Sequence, residues 1–266
     1  MRALRGRPAT ERLPLDEPQD KQWRELSAWR KERRAELVAR REAIAPADKR
    51  AWDATITRLL EAGFPHLCAL TVGFCWPYRN EFDARFAIRT FRQRGATAAL
   101  PAVVDKRGPL EFRQWSPGVS MKAQVYGIPV PDGTPVVAPH AAIVPMNGFD
   151  EQGYRLGYGG GYFDRTLAAS RPRPIAIGVS YELGRLPTIH PQPHDIAMDF
   201  VVTEAGIHRA AGGRLEVIDV AASAGQVAVL CAVRGLGAVA GGYSSPPCYA
   251  GEFPGYFSGD EKAERS

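Results

Sequence analysis

A series of short apolar runs separated by stretches of helical pattern constrains this fold more than any other feature. "HLCALTVGFCW" (66–76), "ATAALPAVV" (96–104), "AAIVPMNGF" (141–149), "PIAIGVS" (174–180) and "MDFVVT" (198–203) are too short for helices and too uniformly apolar for exposed strands. Between the first two, "FDARFAIRTFRQRG" (82–95) has a helical pattern and ends on Gly95. "PLEFRQW" (109–115) alternates like a half-exposed strand, and Pro145 is expected to end the pairing of its strand early. Strands alternating with helices predict an α/β domain with a mainly parallel sheet.

Two helices are expected ahead of the first strand. One spans Asp20 to Ile44, with Trp23, Leu26, Trp29, Leu37 and Ile44 as its apolar stripe. "PADKRAWDATITRLLEAG" starts at Pro46 and closes on Gly63, the usual placement of the two residues. Residues 1–19, rich in Arg and Pro, are expected to be a disordered leader. The main domain is then expected over 20–208, followed by a C-terminal extension of unknown role over 209–266. In that extension "RLEVIDV" (214–220) suits a strand. "GQVAVLCAVRGLGAVAGG" fits no one state, and no mechanism attaches to the tail motif "PPCYAGEFPGYFSG".

The four cysteines, Cys68, Cys75, Cys231 and Cys248, lack metal-site spacing, and no apolar run approaches the ~18 residues of a membrane span. A cytoplasmic protein with reduced thiols is expected. The net charge of +5 is concentrated: residues 1–50 hold fourteen Lys/Arg against nine Asp/Glu, and residues 51–266 hold twenty of each. Such an asymmetry points either to an anionic partner of the N-terminal segment or to a solvated basic helix.

The chemistry concentrates in "RLGYGGGYFDRTL" (155–167). It fits neither the dinucleotide pattern, because Tyr162 stands where the last glycine is needed, nor the P-loop, because no Lys-Ser or Lys-Thr follows its glycines. Yet it lies between a strand and a helix, where unpaired backbone N–H groups attract anions and glycines let a ligand approach the backbone. Arg155 is suited to fork onto phosphate oxygens. Asp164, in the first helical turn, could complement the helix dipole or hold magnesium. The alternative is a tight connection with a capping aspartate.

"GFDEQGYRLGYGGGYFDRTL" closely resembles the signature region of the 5-formyltetrahydrofolate cyclo-ligase family. Phe149, Asp150, Gly153, Arg155, Leu156, Gly157, Gly159, Gly161, Tyr162, Asp164, Arg165 and Leu167 match its pattern, and Phe163 stands where tyrosine is common. "WPYRNEFDARFAI" resembles the family's early substrate segment, and "LPTIHPQPHDIAMDFVVTE" its closing segment. The similarity covers roughly residues 24–208. It implies a three-layer α/β/α sandwich with a mainly parallel, Rossmann-like sheet of the cyclo-ligase type.

The resemblance also implies ATP- and Mg2+-dependent closure of 5-formyltetrahydrofolate to 5,10-methenyltetrahydrofolate. ATP would be held by Arg155, the backbone of Gly157, Tyr158, Gly159, Gly160 and Gly161, and cations of the first helix. There Arg30 and Arg34 stand four apart, with Arg30 in place of the family's lysine unless Lys31 serves instead. Trp76, Glu81, Tyr158, Gly159, Gly160, Gly161 and Tyr162 would contact the folate, with Arg155, Tyr162 and Glu81 in catalytic roles, and Asp164 and Asp195 would hold magnesium. Tyr162, Phe163 and Trp76 have rings able to stack on or border a pterin. A monomer is expected. The competing readings are a nucleic-acid-binding protein built on such a domain, disfavoured by the neutral charge of residues 51–266, and a nucleotide-dependent relative acting on another amide.

Overall fold

The computed structural model describes residues 17–124 and 127–237. In chain order it forms α1 (Glu17–Glu42), α2 (Pro46–Gly63), β1 (Thr71–Phe74), α3 (Arg85–Gln93), β2 (Thr97–Ala102), β3 (Glu111–Trp115), β4 (Met121–Ala123), β5 (Pro129–Pro131), β6 (Ala141–Pro145), β7 (Gly148–Asp150), β8 (Arg155–Leu156), α4 (Tyr162–Ala169), β9 (Ile175–Val179), β10 (Arg185–Leu186), β11 (Phe200–Thr203), β12 (Gly206–Ala211), β13 (Arg214–Ile218) and α5 (Val220–Arg234).

The expected sheet is present. Its eight strands run in the order β13-β12-β11-β9-β6-β1-β2-β3. From β11 to β2 every neighbouring pair is parallel, while β3 at one edge and β12 and β13 at the other pair antiparallel. β1, β9 and β11 are buried at every position, as strands covered on both faces must be. Edge strand β13 is exposed or half-exposed throughout.

Side chains of alternating parity feed two cores. Val72, Phe74, Ile143, Ile177 and Val202 pack with residues of α2, α3 and α5 such as Ile56, Leu60, Phe91 and Val227. Ala142, Val144, Ala176 and Val201 turn the other way, onto Leu167 and Phe163 of α4. Helices therefore cover both faces. α2 forms where expected: Pro46 lies in its first turn with Asp48, and Ile56 and Leu60, four apart, are fully buried.

Three expectations change. The run 66–76 divides into a 3₁₀ turn (Pro65–Ala69) and β1. In the run 141–149 Pro145 ends β6 as expected, but the residues after it form β7, which joins a separate small sheet ordered β10-β7-β8. α1 begins at Glu17, not Asp20, and its buried positions are Arg30, Leu37, Val38 and Arg41, with Arg34 half-buried, whereas Trp23 is exposed. The stripe carries arginines because Arg30 and Arg34 face a cavity and Arg41 meets polar partners, while Leu37 and Val38 are buried as core.

The boundary expected at residue 208 falls inside β12. β13 and α5 continue the same sheet and helical layer, with α5 capped by the Asp219 carboxylate, which accepts from the Ala222 N–H (2.7 Å), and closed by Gly235 at φ 64°. Arg234, in its last turn, forks onto Asp199 at 2.6 and 2.9 Å. The expected leader, apart from the start of α1, and the motif "PPCYAGEFPGYFSG" lie outside the described residues. No described helix is long and apolar enough to cross a membrane. Cys68, Cys75 and Cys231 are free thiols, and Cys248 lies outside the described residues.

Candidate active site

From β1 the chain moves to β2 on one side and returns to β6 on the other. Order reverses there, and a crevice opens beyond the carboxyl ends of β1 and β6, the usual ligand position in an open parallel sheet. A cavity of about 390 Å³ lies there: Cys75, Trp76 and Glu81 line it after β1, and Pro145 ends β6 against it.

α1 supplies cations. Arg30 donates from Nη2 to Asp195 Oδ2 (2.6 Å) and to the His190 carbonyl (2.8 Å), and from Nε to the Ile189 carbonyl (3.2 Å). Arg34 donates from Nε to the Gly157 carbonyl (2.7 Å), so α1 holds the glycine loop directly. Burial, and then the neighbouring Arg30, lower the Arg34 pKa, while Asp195 acts in the opposite direction. Of the two candidates for the lysine's place, Arg30 is buried and lines the cavity, whereas Lys31 is exposed and does not line it.

The glycine loop connects β8 to α4. Gly159 (φ 93°) and Gly161 (φ 62°) adopt left-handed backbone that L side chains rarely tolerate. A Cβ on Gly159 would lie 3.3 Å from the Arg34 guanidinium carbon, so the glycine also admits the arginine. Gly161 begins α4 with no side chain capping its first turn. Asp164 is not that cap. Arg155 donates to both its oxygens (3.1 and 2.9 Å), and the Ile196 N–H reaches Oδ1 (3.3 Å). Arg155, expected to be free for phosphate, is thus in a forked ion pair, with its guanidinium also 5.4 Å from the Phe163 ring centre.

Glu81 is 5% exposed. Its Oε1 accepts from the Tyr158 hydroxyl (3.0 Å) and its Oε2 from the Tyr78 N–H (3.1 Å). Burial pushes its carboxyl up, while Arg41 and the Tyr158 hydroxyl pull it back. Burial, and then Glu81, raise the Tyr158 phenol well above its ordinary value, so it stays protonated and donates. Arg41 was not anticipated from the sequence. It is 4% exposed and reaches Tyr158 OH (2.9 Å), Asn147 Oδ1 (3.0 Å) and the Arg79 carbonyl (2.9 Å). Its signal is position: it follows Arg34 by seven residues, on the same helical face.

Trp76 lines the cavity with the Arg85 guanidinium 4.7 Å from its ring centre, and Tyr162 lines it with Arg165 at 5.0 Å. The cavity thus brings together every expected site residue except Lys31. Asp164 and Asp195 both line it, but each is paired with an arginine. Burial alone would raise the Asp195 carboxyl; hydrogen bonds from Arg30 and the Gln192 N–H bring it below the usual range. Among the described residues no group of three or more His, Cys, Asp and Glu side chains could hold a metal ion. The donor set suits magnesium only as an ion carried largely by phosphates and water, for which one or two carboxylates are enough.

Comparison with known proteins gives one answer. The model of the 5-formyltetrahydrofolate cyclo-ligase family matches residues 26–204. The chain is 35% identical to the 5-formyltetrahydrofolate cyclo-ligase of Mycolicibacterium smegmatis over 138 residues, 48% of this chain and 70% of the relative. It is 25% identical to that of Escherichia coli over 175 residues, 63% of this chain and 96% of the relative. Among solved structures it resembles the 5,10-methenyltetrahydrofolate synthetases of Aquifex aeolicus (TM-score 0.60, 23% identity, covering 71% of this chain and 96% of the other) and Mycoplasma pneumoniae (TM-score 0.55, 20% identity, 66% and 98%).

Proposed function

Because this chain belongs to the 5-formyltetrahydrofolate cyclo-ligase family and is an enzyme of that type, we propose that it closes 5-formyltetrahydrofolate to 5,10-methenyltetrahydrofolate at the expense of ATP. The observation that carries this reading is one cavity in which Arg30 and Arg34 of α1, the glycine loop and the buried carboxylate of Glu81 converge.

A formamide carbon is a weak electrophile, and its oxygen is a poor leaving group. Attack of the formyl oxygen on the γ-phosphorus of ATP releases ADP and leaves an imidate phosphate. The folate nitrogen at position 10 then adds to the activated carbon and gives up its proton, and inorganic phosphate leaves with the original formyl oxygen. No enzyme nucleophile is needed, so the protein's task is positioning and charge neutralisation.

Arg30, Arg34 and the loop backbone supply positive charge and N–H groups for the phosphates. Glu81 holds the pterin's polar edge, and the rings of Trp76 and Tyr162 border it. Asp164 and Asp195 are the residues that would hold magnesium, which would supply positive charge against the phosphates. For its role Arg30 exchanges the Asp195 carboxylate for phosphate. The inward-facing arginines also give the basic N-terminal segment a small-molecule ligand, which weakens the case for nucleic acid.

Arg34→Ala is the test that separates the phosphate contact from the folate contact. The variant is expected to raise the apparent KM for ATP about tenfold or more, the scale of one lost charge-assisted contact, with the KM for folate changing far less. Equal changes in both would remove α1 from the phosphate site.

A further inference from the structure

We propose that Arg41 is a positioning residue that holds Glu81 and Tyr158 in one geometry, and so sets the folate anchor from α1, the same helix that faces the phosphates. The inference rests on the reading of Glu81 as folate anchor. Arg41 lies too deep to be a solvated cation, and its three nitrogens have separate fixed partners. Nε is held by the Arg79 carbonyl just before Glu81, Nη1 by Asn147 just after β6, and Nη2 by the Tyr158 hydroxyl. That hydroxyl in turn donates a hydrogen bond to Glu81 Oε1, which lies 3.9 Å from Arg41 Nη2. The Asn80 side-chain amide returns a bond to the Arg41 carbonyl (2.9 Å), so the Arg79–Glu81 turn and α1 grip each other from both sides. One guanidinium thereby joins the helix, the glycine loop and the segments that follow β1 and β6.

The arrangement has an electrostatic consequence. Arg41 on α1 and Tyr158 on the loop face Glu81 directly, Cys75 at the end of β1 lies close enough for Glu81 to raise its thiol, and Arg155 acts on that thiol from β8. Among these, Arg41 is the cation that opposes the burial of the Glu81 carboxylate. Without it, Glu81 takes up a proton at higher pH, and an anchor that must accept hydrogen bonds from the substrate as a carboxylate is lost on the acid side first.

The experiment measures binding of 5-formyltetrahydrofolate without nucleotide, by calorimetry across pH, for the wild-type chain, Arg41→Met, Arg41→Lys and Glu81→Gln. Arg41→Met is expected to weaken binding about tenfold or more near neutral pH and to move the acid limb of the binding profile upward, so that affinity recovers with rising pH. Arg41→Lys should return the acid limb toward its wild-type position while restoring only part of the affinity, because one ammonium cannot reproduce the fork. A uniform loss in Arg41→Met with an unmoved acid limb would overturn the proposal. Should Arg41→Met fail to fold, Arg41→Lys decides: affinity and acid limb both unchanged would show that the fork sets nothing. Glu81→Gln separates the two readings. Wild-type affinity in that variant defeats the folate-anchor assignment itself, whereas weak binding there with normal binding in Arg41→Met defeats only the role of Arg41.

Discussion

Asp164→Asn is expected to lower kcat for methenyl formation by about a hundredfold or more while leaving a folded protein. The substitution keeps shape and one acceptor oxygen, so Arg155 retains a hydrogen bond and Ile196 N–H a partner. What it removes is the negative charge, in a site where Arg155 is nearly buried. That charge has two uses. Without ligands it balances Arg155; with the nucleotide bound it is one of the two carboxylates proposed to hold magnesium. Losing a preorganised charge partner at a developing phosphoryl transition state has a cost of this size. Circular dichroism and thermal unfolding separate folding from catalysis. Turnover near wild type in a folded Asp164→Asn protein removes Asp164 from the mechanism.

Truncation after residue 209 is expected to abolish cooperative unfolding, not merely to trim an appendage. The cut removes β13 and α5 and most of the pairing of β12. Val227 is fully buried against the core, and Leu230 and Cys231 pack beside it. Each such side chain contributes roughly 1.5–3 kcal/mol when fully buried. The cut also removes Arg234, leaving the buried Asp199 carboxylate with only the Ala176 N–H and a 3.5 Å approach from Arg173. Breaking a buried ion pair costs about 3–5 kcal/mol. Together these losses reach the 5–15 kcal/mol that typically hold a whole domain together, on the order of its total stability. A truncated chain with an unchanged, sharp thermal midpoint would contradict this.

The same region shows where sequence reading stops. The sheet was legible because buried parallel strands are apolar on both faces, and that property is local. Strand ends were legible where chemistry marks them, as at Pro145. α5 was not, although its caps stand in plain view: Asp219 before it and Gly235 after it. The apolar, glycine-containing run between them has no clear helical stripe, and its main partner, α2, is distant in sequence. On α1 the misleading signal was the tryptophans. Trp23 and Trp29 suggested the buried face, but Trp29 meets His190 at 4.9 Å and Trp23 lines the cavity while half open to solvent.

For the site, the glycine loop, Glu81 and the Arg30–Arg34 pair could be found because motifs mark them. Arg41 carried only a positional signal, seven residues after Arg34 on the same helical face, which is lost among the several arginines of a basic helix. What distinguishes it is a set of partners at residues 79, 147 and 158. The pairing of Arg155 with Asp164, nine residues on, depends on how the loop turns and is likewise a tertiary fact.

The most direct measurement follows methenyl product by absorbance with the full chain, 5-formyltetrahydrofolate, ATP and magnesium, and assays ADP in the same samples. The account predicts one ADP per methenyl group formed, and no product when either ATP or magnesium is left out. Product formed without ATP, or ATP hydrolysed without product, would contradict it.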